Sequence, residues 1–208
     1  MQKVDWRKAL KHLYVPTARK VVEVDVPEMR FLMVDGEKAP GISDAFAGAS
    51  QALYALKFMV KKREAIDYGV SPLEGLWWSE EMSLFGFEDE EAMKRTLENG
   101  EAWRWIAMIM QPEPVSEDLF KEAREEVARK KDLPALGNVR FEPFGEGRSA
   151  QVMHVGPYAD EWPTIERVHG FIRDRGGTAR GRHHEIYLND PNRTAPEKLK
   201  TVIRQPFK

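Results

Sequence analysis

The stretch Gly181-Arg182-His183-His184-Glu185-Ile186-Tyr187-Leu188-Asn189-Asp190-Pro191 decides how this chain folds. Ile186 and Leu188 alternate with Glu185 and Tyr187, and Asn189-Asp190-Pro191 closes the run with turn formers. That pattern is a strand ending in a turn. A period of two sends Ile186 and Leu188 to one face of a sheet, and His183, Glu185 and Tyr187 to the other. A carboxylate beside a phenol is out of place in a core. It suits a pocket lining, or a face that is simply wet, and the strand alone does not choose between these.

On the N-terminal side of this strand lies a helix over about 159–175, with Trp162, Ile165, Val168 and Ile172 inward and Gly176-Gly177 as its stop. Before it come strands at 139–144 and 149–155, separated by a turn at Gly145-Glu146-Gly147. On the C-terminal side, Pro196 opens a helical turn and the chain ends on a strand at 200–205. The first part of the chain has the same elements. Residues 30–36 form a strand, and Ser43-Asp44 caps a helix to about 65 with the stripe Phe46, Ala49, Leu53, Leu56 and Val60. Strands at 72–78 and 102–110 follow, with a short helix over 88–99 between them. Trp103, Trp105, Ala107 and Ile109 share one face of the later strand. A helix over 115–131, with Ser116 as N-cap and Leu119, Phe120, Ala123 and Val127 inward, joins the halves. Residues 1–20 form a basic arm that packs through Trp6, Leu10, Leu13 and Tyr14.

The expected fold is therefore α+β. A strand–helix–strand–strand unit occurs twice, in 21–112 and 137–208, linked by 113–136 and related by a pseudo-two-fold axis. Helices on one face of the sheets leave a groove on the other, between the halves. A ligand site belongs in that groove. Leu73-Glu74-Gly75-Leu76-Trp77 echoes His184-Glu185-Ile186-Tyr187-Leu188, which places Glu74 beside Glu185 and Tyr187 as a groove candidate. Trp77, Trp78, Trp103 and Trp105 supply aromatic walls, although any one of them is as easily ordinary core. Aromatic walls around a buried carboxylate suit a flat, lipophilic, often cationic ligand.

Composition narrows the classes. Hydrophobic residues make up 42% of the 208, enough for a packed globule. With 32 basic and 34 acidic residues the net charge is −2, which argues against a nucleic-acid footprint. No cysteine is present, so disulfides, thiolate catalysis and cysteine-bound zinc are excluded. No apolar run reaches a membrane span and the N-terminus lacks a signal-peptide core, so a cytoplasmic protein is expected. His183 and His184 point to opposite faces and no further spacing completes a metal site, so neither metal nor cofactor is expected. Gly-x-Ser-x-Gly and Gly-Lys-Ser/Thr are both missing. Glu161 and Glu166 read as solvent-facing helix residues.

Residues 72–78, the run Trp103 to Pro112 and above all His183 to Thr201 resemble the GyrI-like small-molecule-binding proteins, over about 20–205. The resemblance implies a single domain over 1–208, built from a duplicated SHS2-type module, with a multidrug-type pocket and a buried glutamate at Glu185. It also implies an aromatic cage, matched here by Trp77, Trp105 and Tyr187. A subset of the family hydrolyses cyclopropanoid, DNA-alkylating compounds. Glu185 and Tyr187 then become candidate catalytic residues, Glu185 handling water and Tyr187 donating to developing charge. Trp77, Trp78, Trp103, Trp105, Glu74 and His183 become candidate ligand contacts. The competing reading is a non-catalytic structural or protein-interaction module.

Overall fold

The computed structural model describes residues 9–39, 44–64, 71–79, 91 and 100–208. Trp6 and the helix expected over 88–99, apart from Glu91, lie outside them. The strands are β1 (Val22–Val26), β2 (Met29–Glu37), β3 (Leu73–Ser79), β4 (Trp103–Gln111), β5 (Arg140–Phe144), β6 (Gly147–Val155), β7 (His183–Tyr187) and β8 (Lys200–Pro206). The helices are α1 (Lys11–Tyr14), α2 (Ala45–Glu64), α3 (Glu117–Lys130) and α4 (Trp162–Asp174). All eight strands join one antiparallel sheet in the order β1-β6-β8-β7-β3-β4-β2-β5. The two halves meet where β7 pairs with β3, with Gly75 opposite Glu185.

Strand alternation decides what each face carries. On one face, Leu32, Val34, Trp77, Trp103, Trp105, Ala107 and Ile109 pack under the α2 stripe Ala49, Leu53, Leu56 and Val60 and under Leu119, Phe120, Ala123 and Val127 of α3. Further along that face, Ala150, Val152 and Ile203 pack under Ile165, Val168 and Ile172 of α4. Each fully buried leucine in these layers contributes roughly 1.5–3 kcal/mol. The helix ends are fixed locally. Ser116 Oγ accepts the Leu119 N–H at 3.1 Å, and the Gly177 N–H reaches the Ile172 carbonyl at 3.0 Å after Gly176 turns the chain at φ +67°.

The opposite face is not an open groove, contrary to expectation. Leu13 and Tyr14 of α1 lie buried on it with Phe31, Met33, Leu76, Ile106, Met108, Ile186 and Val202. A buried polar chain runs beneath them. Tyr14 Oη donates to Glu74 Oε1 at 2.8 Å, and His184 Nε2 lies 3.1 Å from Glu74 Oε2. His184 Nδ1 and Arg204 Nη1 meet Glu146 Oε2 at 2.9 and 3.1 Å, and Arg204 Nη2 donates to the Leu13 carbonyl at 2.7 Å. Burial draws His184 down, but the charge and hydrogen bond of Glu146 outweigh it and raise its pKa. Its Nδ1 is hydrogen-bonded to Glu146, while Nε2 lies near Glu74 Oε2 without hydrogen-bond alignment. Among the described residues, this face is closed by the arm and by ion pairs. The open space lies between α2 and α4, on the face that carries the helices.

Candidate functional site

That space is a cavity of about 1460 Å³, larger than the roughly 300–1,000 Å³ of ordinary small-molecule sites. Its floor is β3 and β7, where His183, Glu185 and Tyr187 share the face of Trp77. One wall is α2, which contributes Phe46 and Tyr54. The other is the start of α4, with Tyr158 and Glu161. The aromatic side chains contact one another. Phe46 sits 5.2 Å from Trp77, 5.0 Å from Trp105 and 6.4 Å from Tyr187. Trp77 meets Trp103 at 6.0 Å, and Tyr158 meets Tyr187 edge-on at 5.7 Å. Such edge and tilted contacts lock the rings, so their exposed faces are presented ready-made to a flat ligand.

A hydrogen-bonded line crosses the floor. Trp77 Nε1 donates to Tyr187 Oη at 2.9 Å, Tyr187 Oη donates to Glu185 Oε2 at 2.7 Å, and His183 Nε2 lies 3.2 Å from Glu185 Oε1. Gly75 makes this possible. A Cβ there would stand 2.5 Å from Trp77 Nε1 and 3.0 Å from Tyr187 Oη, so only glycine lets the indole lie across the strand to reach the phenol.

Glu161 lines the same cavity as Glu185, and each carboxyl acts on the titration of the other. Both are acceptors when ionised, and Glu161 Oε1 is buried without a hydrogen-bond partner among the described residues, an arrangement that a proton on the pair would relieve. Burial raises Glu161, which is only 3% exposed, and the neighbouring charge of Glu185 raises it further, so its pKa lies well above 4.5. Burial also acts against ionising Glu185, but the bond and charge of His183, the Tyr187 hydroxyl and the Glu161 proton outweigh it and lower its pKa. Protonation is thus favoured at Glu161 and disfavoured at Glu185. Burial and the Glu185 charge hold Tyr187 protonated, its pKa well above 10. Among the described residues, no cluster of three or more His, Cys, Asp or Glu could hold a metal ion.

The structure sorts the residues singled out in the sequence. Trp77, Trp103, His183, Glu185 and Tyr187 come together at the cavity. Trp105 shares their face but is 1% exposed, its Nε1 donating to the Lys38 carbonyl at 2.9 Å. It supports Phe46 rather than lining the space. Glu74 and Trp78 must be reassigned. The register places Gly75, not Glu74, opposite Glu185, so the sequence echo is off by one residue, and one residue reverses the face. Glu74 is buried in the polar chain on the far side, and Trp78 lies there under the Arg182 guanidinium, 3.8 Å from the ring centroid. Glu161 is also corrected, from solvent-facing to buried. The 3-10 turn Tyr158–Asp160 swings the start of α4 over the sheet and puts Glu161 at the helix N-cap position, above Glu185. Phe46, Tyr54 and Tyr158 were legible only as helix-stripe or loop residues.

A GyrI-like small molecule binding domain matches residues 102–208, which hold β4 to β8, α4 and the whole carboxyl pair. The chain belongs to the GyrI-like small molecule binding family. Its GyrI-like fold extends over the full length of three solved structures from Listeria innocua. A hydrolase is 34% identical with a TM-score of 0.83, over 99% of this chain and 100% of the other. A second hydrolase structure is 35% identical, TM-score 0.85, over 100% of both chains. An uncharacterized conserved protein is 36% identical, TM-score 0.85, over 99% and 100%. The EcmrR C-terminal domain, at 12% identity and a TM-score of 0.54, shares the fold alone. No curated protein matches the GyrI-like chain. Among the described residues, no helix is long and apolar enough to cross a membrane.

Proposed function

We propose that this GyrI-like protein captures lipophilic, aromatic, often cationic xenobiotics between α2 and α4 and hydrolyses cyclopropanoid, DNA-alkylating members of that class. One observation carries the reading: an ionised carboxylate, Glu185, is fixed by two donors on the floor of an aromatic-walled cavity. An ionised carboxylate beside π-faces is complementary to a desolvated cation. It is equally a base held against an apolar substrate, where water must be activated without help from bulk solvent. The hydrolase structures from Listeria innocua support turnover as well as binding.

In this reading a strained cyclopropane stacks on Trp77 and Phe46, which supplies orientation, the largest available share of acceleration. Glu185 takes a proton from the attacking water. The electrons of the broken ring bond flow to a conjugated carbonyl remote from the carboxylates. Tyr187 acts by holding Glu185, since its O–H already donates a hydrogen bond to that carboxylate. The strand order β6-β8-β7 against β3-β4-β2 supports an SHS2-type module used twice, with the ligand at the seam.

The test is tryptophan fluorescence titration with a planar cation, ethidium, and a neutral aromatic of similar size, followed by mass spectrometry of a spirocyclopropyl-dienone at protein well below substrate. Saturable quenching weakened in Glu185→Gln, and multiple turnovers lost in that variant, are expected. Absence of saturable quenching by either probe would return the protein to the reading of a structural or interaction module.

A further inference from the structure

The carboxyl pair is arranged for a second kind of water chemistry. Opening a three-membered ring by inversion, with acid assistance, needs the acid and base on opposite sides of the reacting carbon. Glycosidases that work by inversion set their carboxyls about 6.5–9.5 Å apart for this reason. Glu161 and Glu185 instead line the same cavity together, Glu161 buried with its Oε1 unpartnered among the described residues. Acid and base side by side can serve two atoms bonded to the same carbon. That is the situation when water adds to a carbonyl: the incoming oxygen loses a proton while the carbonyl oxygen gains one. Two carboxyls sharing one proton perform this addition in the aspartic proteases.

We propose that the Glu161–Glu185 pair hydrolyses lipophilic aryl esters, whose rings the aromatic cavity holds. The proposal rests on the reading of the cavity as a binder of flat aromatic molecules. Water bound against the pair attacks the ester carbonyl carbon. Its proton passes to Glu185 as the new C–O bond forms, and the proton of Glu161 passes to the carbonyl oxygen, whose π bond breaks. The product of this step is a neutral gem-diol. Glu185, now protonated, gives its proton to the phenolic oxygen as the ester C–O bond breaks. Glu161 takes a proton from a gem-diol hydroxyl as the carbonyl reforms. One water is consumed, an acid and a phenol are released, and the pair is back at ionised Glu185 and neutral Glu161.

Three features of the site favour this cycle. The two carboxyls are on separate elements, β7 and the start of α4, so water can enter between them without breaking a strand. His183 at 3.2 Å and Tyr187 at 2.7 Å hold Glu185 in the ionised form that starts the cycle. Oxygen Oε1 of Glu161, which receives no hydrogen bond from any described donor, is placed to carry the proton that the carbonyl needs.

The experiment uses 2-naphthyl butyrate as substrate and 2-butyrylnaphthalene, the ketone that lacks the leaving oxygen, as binding probe. Hydrolysis is followed by naphthol release in H2(18)O with mass analysis of the butyric acid. Multiple turnovers are expected, with kcat reduced about 100-fold or more in both Glu161→Gln and Glu185→Gln, while the ketone still quenches tryptophan fluorescence in all three proteins. The rate should be bell-shaped in pH, because only the singly protonated pair works. The first-turnover acid should carry one oxygen-18. Naphthol release at the buffer rate despite saturable ketone binding overturns the proposal and leaves the binding reading standing. So does full activity in Glu161→Gln, or unlabelled acid in the first turnover, which would mean direct attack by a carboxylate. Failure of the ketone to bind overturns both.

Discussion

Replacement of Glu146 by Gln tests whether the face opposite the cavity is held by charge. Glu146 sits in the turn between β5 and β6, buried, with His184 Nδ1 at 2.9 Å and Arg204 Nη1 at 3.1 Å from Oε2. Burial alone would raise its pKa. The charges and hydrogen bonds of His184 and Arg204 outweigh burial and lower it from 4.5 to about 2. A depressed acid stabilises the fold above its unfolded value and loses that stabilisation as pH falls towards its folded value. The gap corresponds to about 3 kcal/mol at pH 7, of which about 1.4 kcal/mol is gone by pH 3.5. Glutamine does not titrate, and it leaves His184 and Arg204 without their carboxylate at a cost of about 3–5 kcal/mol. Urea unfolding of both proteins at pH 7, 5 and 3.5 isolates the effect, since other carboxylates titrate in both and cancel. The wild-type advantage should grow from pH 7 to 5, because Glu146 also raises His184 and that stabilisation is fully present only below the unfolded histidine pKa, and should then shrink by about 1.4 kcal/mol towards pH 3.5 as Glu146 takes up its proton. An advantage that stays the same at all three pH values would refute the ion-pair account.

Four further outcomes follow from the same geometry. Gly75→Ala puts a methyl group into the Trp77 indole, so stability should fall by about 1–3 kcal/mol and ethidium affinity by about tenfold; unchanged affinity by fluorescence titration would contradict the packing described. Tyr187→Phe removes a donor that keeps Glu185 ionised and an acceptor for Trp77, and cation affinity should drop about ten- to hundredfold while a neutral aromatic loses much less. Because the Glu185 pKa is lowered, cation affinity measured in Glu161→Gln, where the second carboxyl no longer titrates, should be flat from pH 8 to 5 and decline only where Glu185 takes up a proton, below the usual carboxylate range; a midpoint near pH 6–7 in that variant would count against Glu185 as the counter-charge. Leu13→Ala, at a fully buried position on α1, should cost about 2–5 kcal/mol in a denaturant melt, whereas a loosely attached arm would register almost nothing.

The sequence by itself determined most of the described elements and which neighbours on β4 and β7 share a face. Alternation in 183–188 and 103–109 is local, because neighbouring side chains on a strand must oppose each other. The grouping of Glu185 with Tyr187, and of Trp103 with Trp105, was legible for that reason. Helix ends were legible where a cap chemistry marks them, at Ser116 and Gly176-Gly177. Only the tertiary structure decided the register between β3 and β7, which sent Glu74 to a buried ion-pair chain and put Gly75 under Trp77. A register is a property of two strands at once, and a one-residue error in aligning them exchanges the faces. The same holds for Glu161. A carboxylate at a helix start is ordinary on the surface, and nothing in its neighbours says that a 3-10 turn will carry it onto another carboxylate from a strand 24 positions later. The groove moved for a related reason. Whether helices or an arm cover a face depends on which side of the sheet the connections cross, and that side is settled by long-range packing of Leu13, Tyr14 and Arg204 rather than by any local pattern.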